Sequence, residues 1–131
     1  MDRKSARAAA MKLLYEWEMG GDGGEETREG MLEIRKDEKE ADFMEALFEG
    51  VCKNVDDIDA IISKYSVGWR LERIAKVDLS ILRLAVYEIN YTDLSDAIAV
   101  NEALELARTY SKPETVRFVN GVLGSLIRGK K

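Results

Sequence analysis

The sequence predicts an all-α fold, a single domain of about seven helices over residues 1–131, and three observations predict it. Long runs rich in Ala, Leu, Glu, Lys and Arg hold one proline in 131 residues, a composition that favours helix throughout. Apolar residues recur at i, i+3, i+4 and i+7 in one segment after another. No stretch alternates apolar and polar residues as a half-buried strand does. An apolar fraction of 46% and a charged fraction of 34% belong to a globular chain long enough to bury a core without staples.

The elements follow in order. Residues 5–19 are predicted helical, with Ala10, Leu13, Leu14 and Trp17 on one buried face. The Gly20-Gly21-Asp22-Gly23-Gly24 run stops this helix, since glycine loses much freedom on ordering. Residues 25–40 offer only Met31, Leu32 and Ile34 as apolar side chains and read as an exposed helix or a connection. Asp42 is the expected cap of the next helix, striped by Phe43, Leu47 and Val51 and widened by Phe48. Asp56 is the expected cap of another, with Asp57 and Asp59 complementing its dipole and Ile58, Ile61, Ile62 and Tyr65 inward.

Val67-Gly68-Trp69 breaks the pattern, and Arg70 to Ile74 is a short helical turn. A strong helix runs from Asp78 to about Tyr91, buried through Leu82, Ala85, Val86 and Ile89. Ser95 or Asp96 starts the next, with Ala99, Ala103, Leu106, Ala107 and Tyr110 inward. Ser111 and Glu114 form the capping box of the last helix, with Pro113 tolerated in its first turn. Its core positions are Val119, Val122, Leu123 and Leu126. Asn120-Gly121 is unusual there, because both are poor helix formers. Gly121 is read as a place where another helix approaches closely, and Asn120 as bonding a neighbouring helix end or loop.

Composition narrows the chemistry. One cysteine, Cys52, rules out an internal disulfide and fits a reducing cytosol. The absence of histidine removes the usual neutral-pH general base, and with one cysteine it leaves no set of zinc ligands. Asp56, Asp57 and Asp59 are better explained as cap and dipole partners than as metal ligands. Glu102 and Glu105 share a helix face with no nucleophile nearby in sequence. There is no phosphate-binding loop, dinucleotide fingerprint or nucleophile elbow, so no enzyme, cofactor or metal is expected. No signal sequence or membrane span appears, and the cytoplasm is the expected location.

Charge placement says most about function. Net charge is −5, yet both ends are basic. Residues 1–12 carry four cations against Asp2, net +3, and residues 111–131 carry five against Glu114, net +4. The remaining residues therefore sum to −12. If the ends lie side by side they pool into one cationic patch that captures a polyanion on an otherwise repelling body. The alternative is two solvated tails.

Arg3, Lys4 and Arg7 fall at a helix start, where cations oppose the macrodipole at about 0.3–1 kcal/mol each. With the unpaired N–H groups of that turn they are read as a phosphate site. Changing all three to Ala is expected to weaken binding of a nucleic acid while leaving melting near wild type. Lys112 and Arg117 flank the last helix start and Phe118 follows, the pairing with which single-strand binders hold phosphates and stack bases. Packing into the core is the competing role for Phe118.

The order of features resembles the NusB family of bacterial transcription antitermination factors, over nearly the whole chain. The resemblance rests on Arg7 with Ala8 to Ala10, Leu14-Tyr15, Gly50-Val51, Trp69-Arg70, Ile81 to Glu88, Val100-Asn101-Glu102-Ala103 with Glu105-Leu106-Ala107, and Phe118 to Leu123. It implies two packed helical subbundles and binding of single-stranded boxA-type RNA of ribosomal RNA leaders together with NusE, a small-subunit ribosomal protein. The pair then helps RNA polymerase read through terminators. Carried over by position, RNA-facing residues are Arg3, Lys4, Arg7, Tyr65, Lys112, Arg117 and Phe118, and the NusE-facing segment runs from Glu72 to Asp78. A second copy of the chain is a further candidate partner, as a homodimer.

Two departures from the family pattern stand out. The proline common near Ser95 is absent, which leaves that helix start to side-chain capping, and Ser5-Ala6 interrupts the N-terminal basic cluster. Two rival functions share the features: a helical protein–protein adaptor with incidental basic ends, and a relative of the helical domain that opens some RNA cytosine methyltransferases. A DNA-binding regulator fits less well, since the helix at 96–110 is acidic on its outer face.

Overall fold

The computed structural model describes residues 2–20 and 38–130, which form six α-helices and one 3₁₀ turn without a strand. The helices are α1 (Arg3–Glu18), α2 (Glu38–Lys53), α3 (Val55–Tyr65), α4 (Lys76–Tyr91), α5 (Asp96–Tyr110) and α6 (Pro113–Gly129), with the 3₁₀ turn at Leu71–Arg73. Most of the segment expected as an exposed helix or connection lies outside the described residues.

α4 is the central element. Eleven of its sixteen side chains are buried, so it is enclosed on every side, and it packs against each of the other five helices. α1 pairs with α2 on one side of it, α5 pairs with α6 on another, and α3 bridges α4 to α6. Leu14, Leu82 and Leu123 are fully buried, each contributing about 1.5–3 kcal/mol by leaving water. The expected α6 stripe of Val119, Val122, Leu123 and Leu126 is buried throughout. Tyr110, expected inward on α5, is exposed instead because it lies at that helix's last turn.

Helix starts depart from the sequence reading more than helix faces do. α2 begins at Glu38, so Asp42 lies inside it rather than capping it. α3 begins at Val55 after Asn54, which leaves Asp56 and Asp57 in the first turn as dipole partners. α4 likewise begins before Asp78, at Lys76. The expected Ser95 cap does form, accepting from the Ile98 N–H at 3.5 Å. The Ser111–Glu114 capping box does not: the N-cap is Lys112, which makes no side-chain cap bond.

Close backbone approaches also fall elsewhere than expected. A Cβ at Gly121 would meet nothing within 4 Å, and Asn120 is exposed. The close contacts are at Gly50, where a Cβ would overlap the Tyr87 ring, and at Gly129, where it would overlap the Tyr65 hydroxyl.

Two buried ionic links brace this packing. The Arg7 Nε donates to both Glu88 oxygens at 2.9 and 3.1 Å, tying α1 to α4. Arg83 donates to Asp59 from Nε and one terminal nitrogen, both at 2.8 Å, and to Glu18 at 2.6 Å from the other. A single guanidinium thus joins α1, α3 and α4.

Candidate nucleic-acid interface

The N-terminal cations are arranged differently from the sequence expectation, because each has found a carboxylate. Arg3 reaches Glu40 at 3.4 Å and lies over the Phe43 ring at 3.8 Å, while Lys4 reaches Glu105 at 3.0 Å. The Lys4–Glu105 pair is solvated on both sides, whereas Glu40 is 13% exposed and holds Arg3 at the edge of the packed interior. Hydrogen bonding to Glu105 raises the Lys4 pKa, and the same bond lowers that of Glu105. Arg7 corrects the expectation of an RNA-facing side chain: it is 7% exposed, and its guanidinium is spent on Glu88 inside the molecule. The helix start is not an open anion site either, since Asp2 caps it by accepting from the Ser5 N–H at 2.8 Å.

At the other end of the chain the structure assembles a surface. Lys112 and Arg117 are exposed at the start of α6, and neither is ion-paired among the described residues. Phe118 is half-buried against Trp69, ring centroids 5.8 Å apart and planes tilted by 60°. Trp69 is itself 55% exposed, projected by the turn that Gly68 makes at φ 84. A cleft of about 300 Å³ opens beside the two rings, walled also by Arg73, Ile74, Asp78, Glu114 and Thr115. It offers flat apolar faces next to one cation, Arg73, with Asp78 and Glu114 supplying the opposite charge, and aromatic faces next to a cation suit an unpaired base.

The two ends are adjacent at one point and divided at another. Lys12 on α1 lies 5.0 Å above the Tyr110 ring, two residues before Lys112, so α1 borders the α5–α6 junction. A groove of about 220 Å³ between α1 and α5, lined by Lys4, Ala8, Thr109 and Tyr110, leads up to that ring. Lys130, in contrast, is held at the far end of α6, bonded to Asp96 at 3.1 Å and to the Ile89 carbonyl at 3.4 Å. Tyr65 is at that end too, packed on Gly129. Eleven residues of helix, about 16 Å, separate it from the Phe118 position.

Glu72 is exposed on the 3₁₀ turn, where a partner can reach it. Asp78 is 9% exposed and accepts hydrogen bonds from Ser111 at 2.6 Å and Thr115 at 3.0 Å, a correction to its expected place on a partner-facing surface. Sequence reasoning missed Trp69 and Arg73 as part of the cleft. A usable signal was present, since Trp69-Arg70 after a glycine repeats the aromatic-beside-cation pattern noted at Phe118.

Fold and surface together define an all-helical protein built around a buried central helix, carrying a cationic and aromatic face where its last helix begins. The model of the NusB family matches residues 4–128. The transcription antitermination protein NusB of Acetivibrio thermocellus is 43% identical over 99% of this chain and 91% of its own length. That of Symbiobacterium thermophilum is 40% identical over the whole chain and 92% of its own. Among solved structures, T. maritima NusB superposes with a TM-score of 0.87 at 30% identity, covering 98% of this chain and 92% of its own. A chain from a crystal structure of antitermination factors NusB and NusE in complex with dsRNA gives 0.85 at 26%, covering 97% and 96%. The chain belongs to the NusB family.

Proposed function

We propose that this protein is a non-enzymatic transcription antitermination factor. In this reading it binds single-stranded boxA-type RNA of ribosomal RNA leaders together with NusE and supports read-through by RNA polymerase in the cytoplasm. The observation that carries the proposal is the start of α6 in a NusB-family chain: exposed Lys112 and Arg117, without an ion-pair partner among the described residues, on the helix whose Phe118 lines the cleft with Trp69. Lys112, Arg117 and Arg73 hold phosphates, and Phe118 with Trp69 stacks a base. Arg3 and Lys4 extend the track along α1 once phosphate displaces Glu40 and Glu105. Tyr65 marks its far limit at the end of α6, and Glu72 faces NusE.

Salt titration of RNA binding tests the reading. With about four to six phosphates neutralised, log K against log salt has a slope of about −3 to −4 for a single strand. A flat response refutes a phosphate-gripping face. The structural relative bound to dsRNA favours a second reading, recognition of a duplex. Gel shifts with boxA-like, scrambled and duplex RNA, each with and without NusE, separate the two. Preference for the duplex overturns the single-strand reading.

A further inference from the structure

The start of α6 lacks the usual cap bond, although the Ser111 and Thr115 hydroxyls meet at 3.0 Å across its first turn. Its N-cap, Lys112, makes no side-chain bond, and Pro113 follows with no N–H to offer. The fastening comes from α4 instead. The buried Asp78 carboxylate accepts from the Ser111 hydroxyl at 2.6 Å on one oxygen and from the Thr115 hydroxyl at 3.0 Å on the other. These contacts span 33 and 37 residues and grip α6 on both sides of its first turn. Lys112 lies between the two gripped residues, and Arg117 and Phe118 are two and three residues past Thr115. Hydrogen bonds to a carboxylate are short and strong, so this is a firm mounting for the first turns of α6 and the side chains they carry.

We propose that Asp78, acting through Ser111 and Thr115, is a positioning residue for RNA binding: it sets the start of α6 so that Lys112 and Arg117 meet phosphates while Phe118 faces Trp69. The inference rests on the RNA-binding reading above. It gives the carboxylate expected on the partner face a task on the nucleic-acid face.

The test is RNA affinity across a salt series, measured with a single-stranded boxA-type oligonucleotide. In the double variant Ser111→Ala/Thr115→Val, affinity falls about tenfold, the worth of one hydrogen bond to a charged group. The salt slope also becomes shallower by about 1.4, as two phosphate contacts are lost. Thr115→Ser, which keeps the hydroxyl, retains the wild-type slope. Adding Lys112→Ala/Arg117→Ala to the double variant weakens binding little further, because both changes remove the same contacts. A merely structural role lowers the folded fraction, scaling affinity equally at every salt and leaving the slope alone.

An unchanged slope, or full additivity with the cation variants, overturns the proposal. If the double variant melts, Ser111→Ala alone is measured, and it too must show the shallower slope. Wild-type protein that binds no RNA brings down the functional reading itself, an outcome distinct from a wild type that binds and a variant that keeps its slope.

Discussion

Replacing Arg7 by methionine separates the two roles an N-terminal arginine can have. Methionine keeps most of the apolar stem and removes the guanidinium. The side chains of Arg7 and Glu88 are 8% and 5% exposed, so the change strands a carboxylate in the interior. Breaking a buried pair in this way costs about 3–5 kcal/mol. For a chain of this size that lowers the melting temperature by about 10–20 °C. The larger figure applies if Glu88 cannot turn toward water past Ala99, Ala103 and Leu106, which line the same crevice. Thermal and urea unfolding followed by circular dichroism give the value directly. Lys4→Ala, whose pair with Glu105 is solvated, leaves melting near wild type and weakens RNA binding instead. Glu88→Gln in the same background removes the stranded charge and should narrow the deficit at pH 7. A loss below about 1 kcal/mol, or no recovery with Glu88→Gln, refutes the buried-pair argument.

Two further outcomes follow from single positions. Gly121→Ala should raise stability by about 0.5–1 kcal/mol, since a Cβ there meets nothing within 4 Å and alanine is the better helix former; a fall in melting temperature would mean that something packs on that face. Asp2 has its pKa lowered below the ordinary 3.8, chiefly by the Ser5 backbone N–H, so its cap is present above the unfolded pKa and is lost as pH falls through the folded one. The Ser5 amide resonance should titrate with a midpoint below 3.8, and in Asp2→Asn that titration should vanish.

What the sequence made legible was periodic, and what it hid was paired. The α6 stripe and the α5 alanines at 99, 103 and 107 announce themselves because a helix repeats its buried face every three or four residues. Charged side chains carry no such period. Asp59 reads as one more acid near a helix start, and only the fold shows it 24 residues from its partner Arg83. Asp78 and Ser111 each have a plausible local role as caps, and each is used across the molecule instead. Arg7 is the sharpest case: a cation at a helix N-terminus costs energy and so suggests a ligand, but its compensation is Glu88, 81 residues away.

The same logic locates the functional surface. If a cation's partner cannot be read from sequence, neither can its freedom, so a basic segment is a poor guide to an anion-binding site until pairing is known. Net charge puts +3 on residues 1–12, yet three of those four cations are engaged by carboxylates and the fourth lies over Tyr110. Lys112 and Arg117 sit in a segment no more basic, but the acid nearest them in sequence, Glu114, pairs with neither. Exposed cations without an ion-pair partner among the described residues, on the helix that carries Phe118, rather than the density of cations along the chain, mark the start of α6 as the candidate surface. In the proposed reading a phosphate arriving at α1 must compete with Glu40 or Glu105, whereas Arg117 has no ion-pair partner among the described residues, so α6 takes the first contact and α1 the later ones.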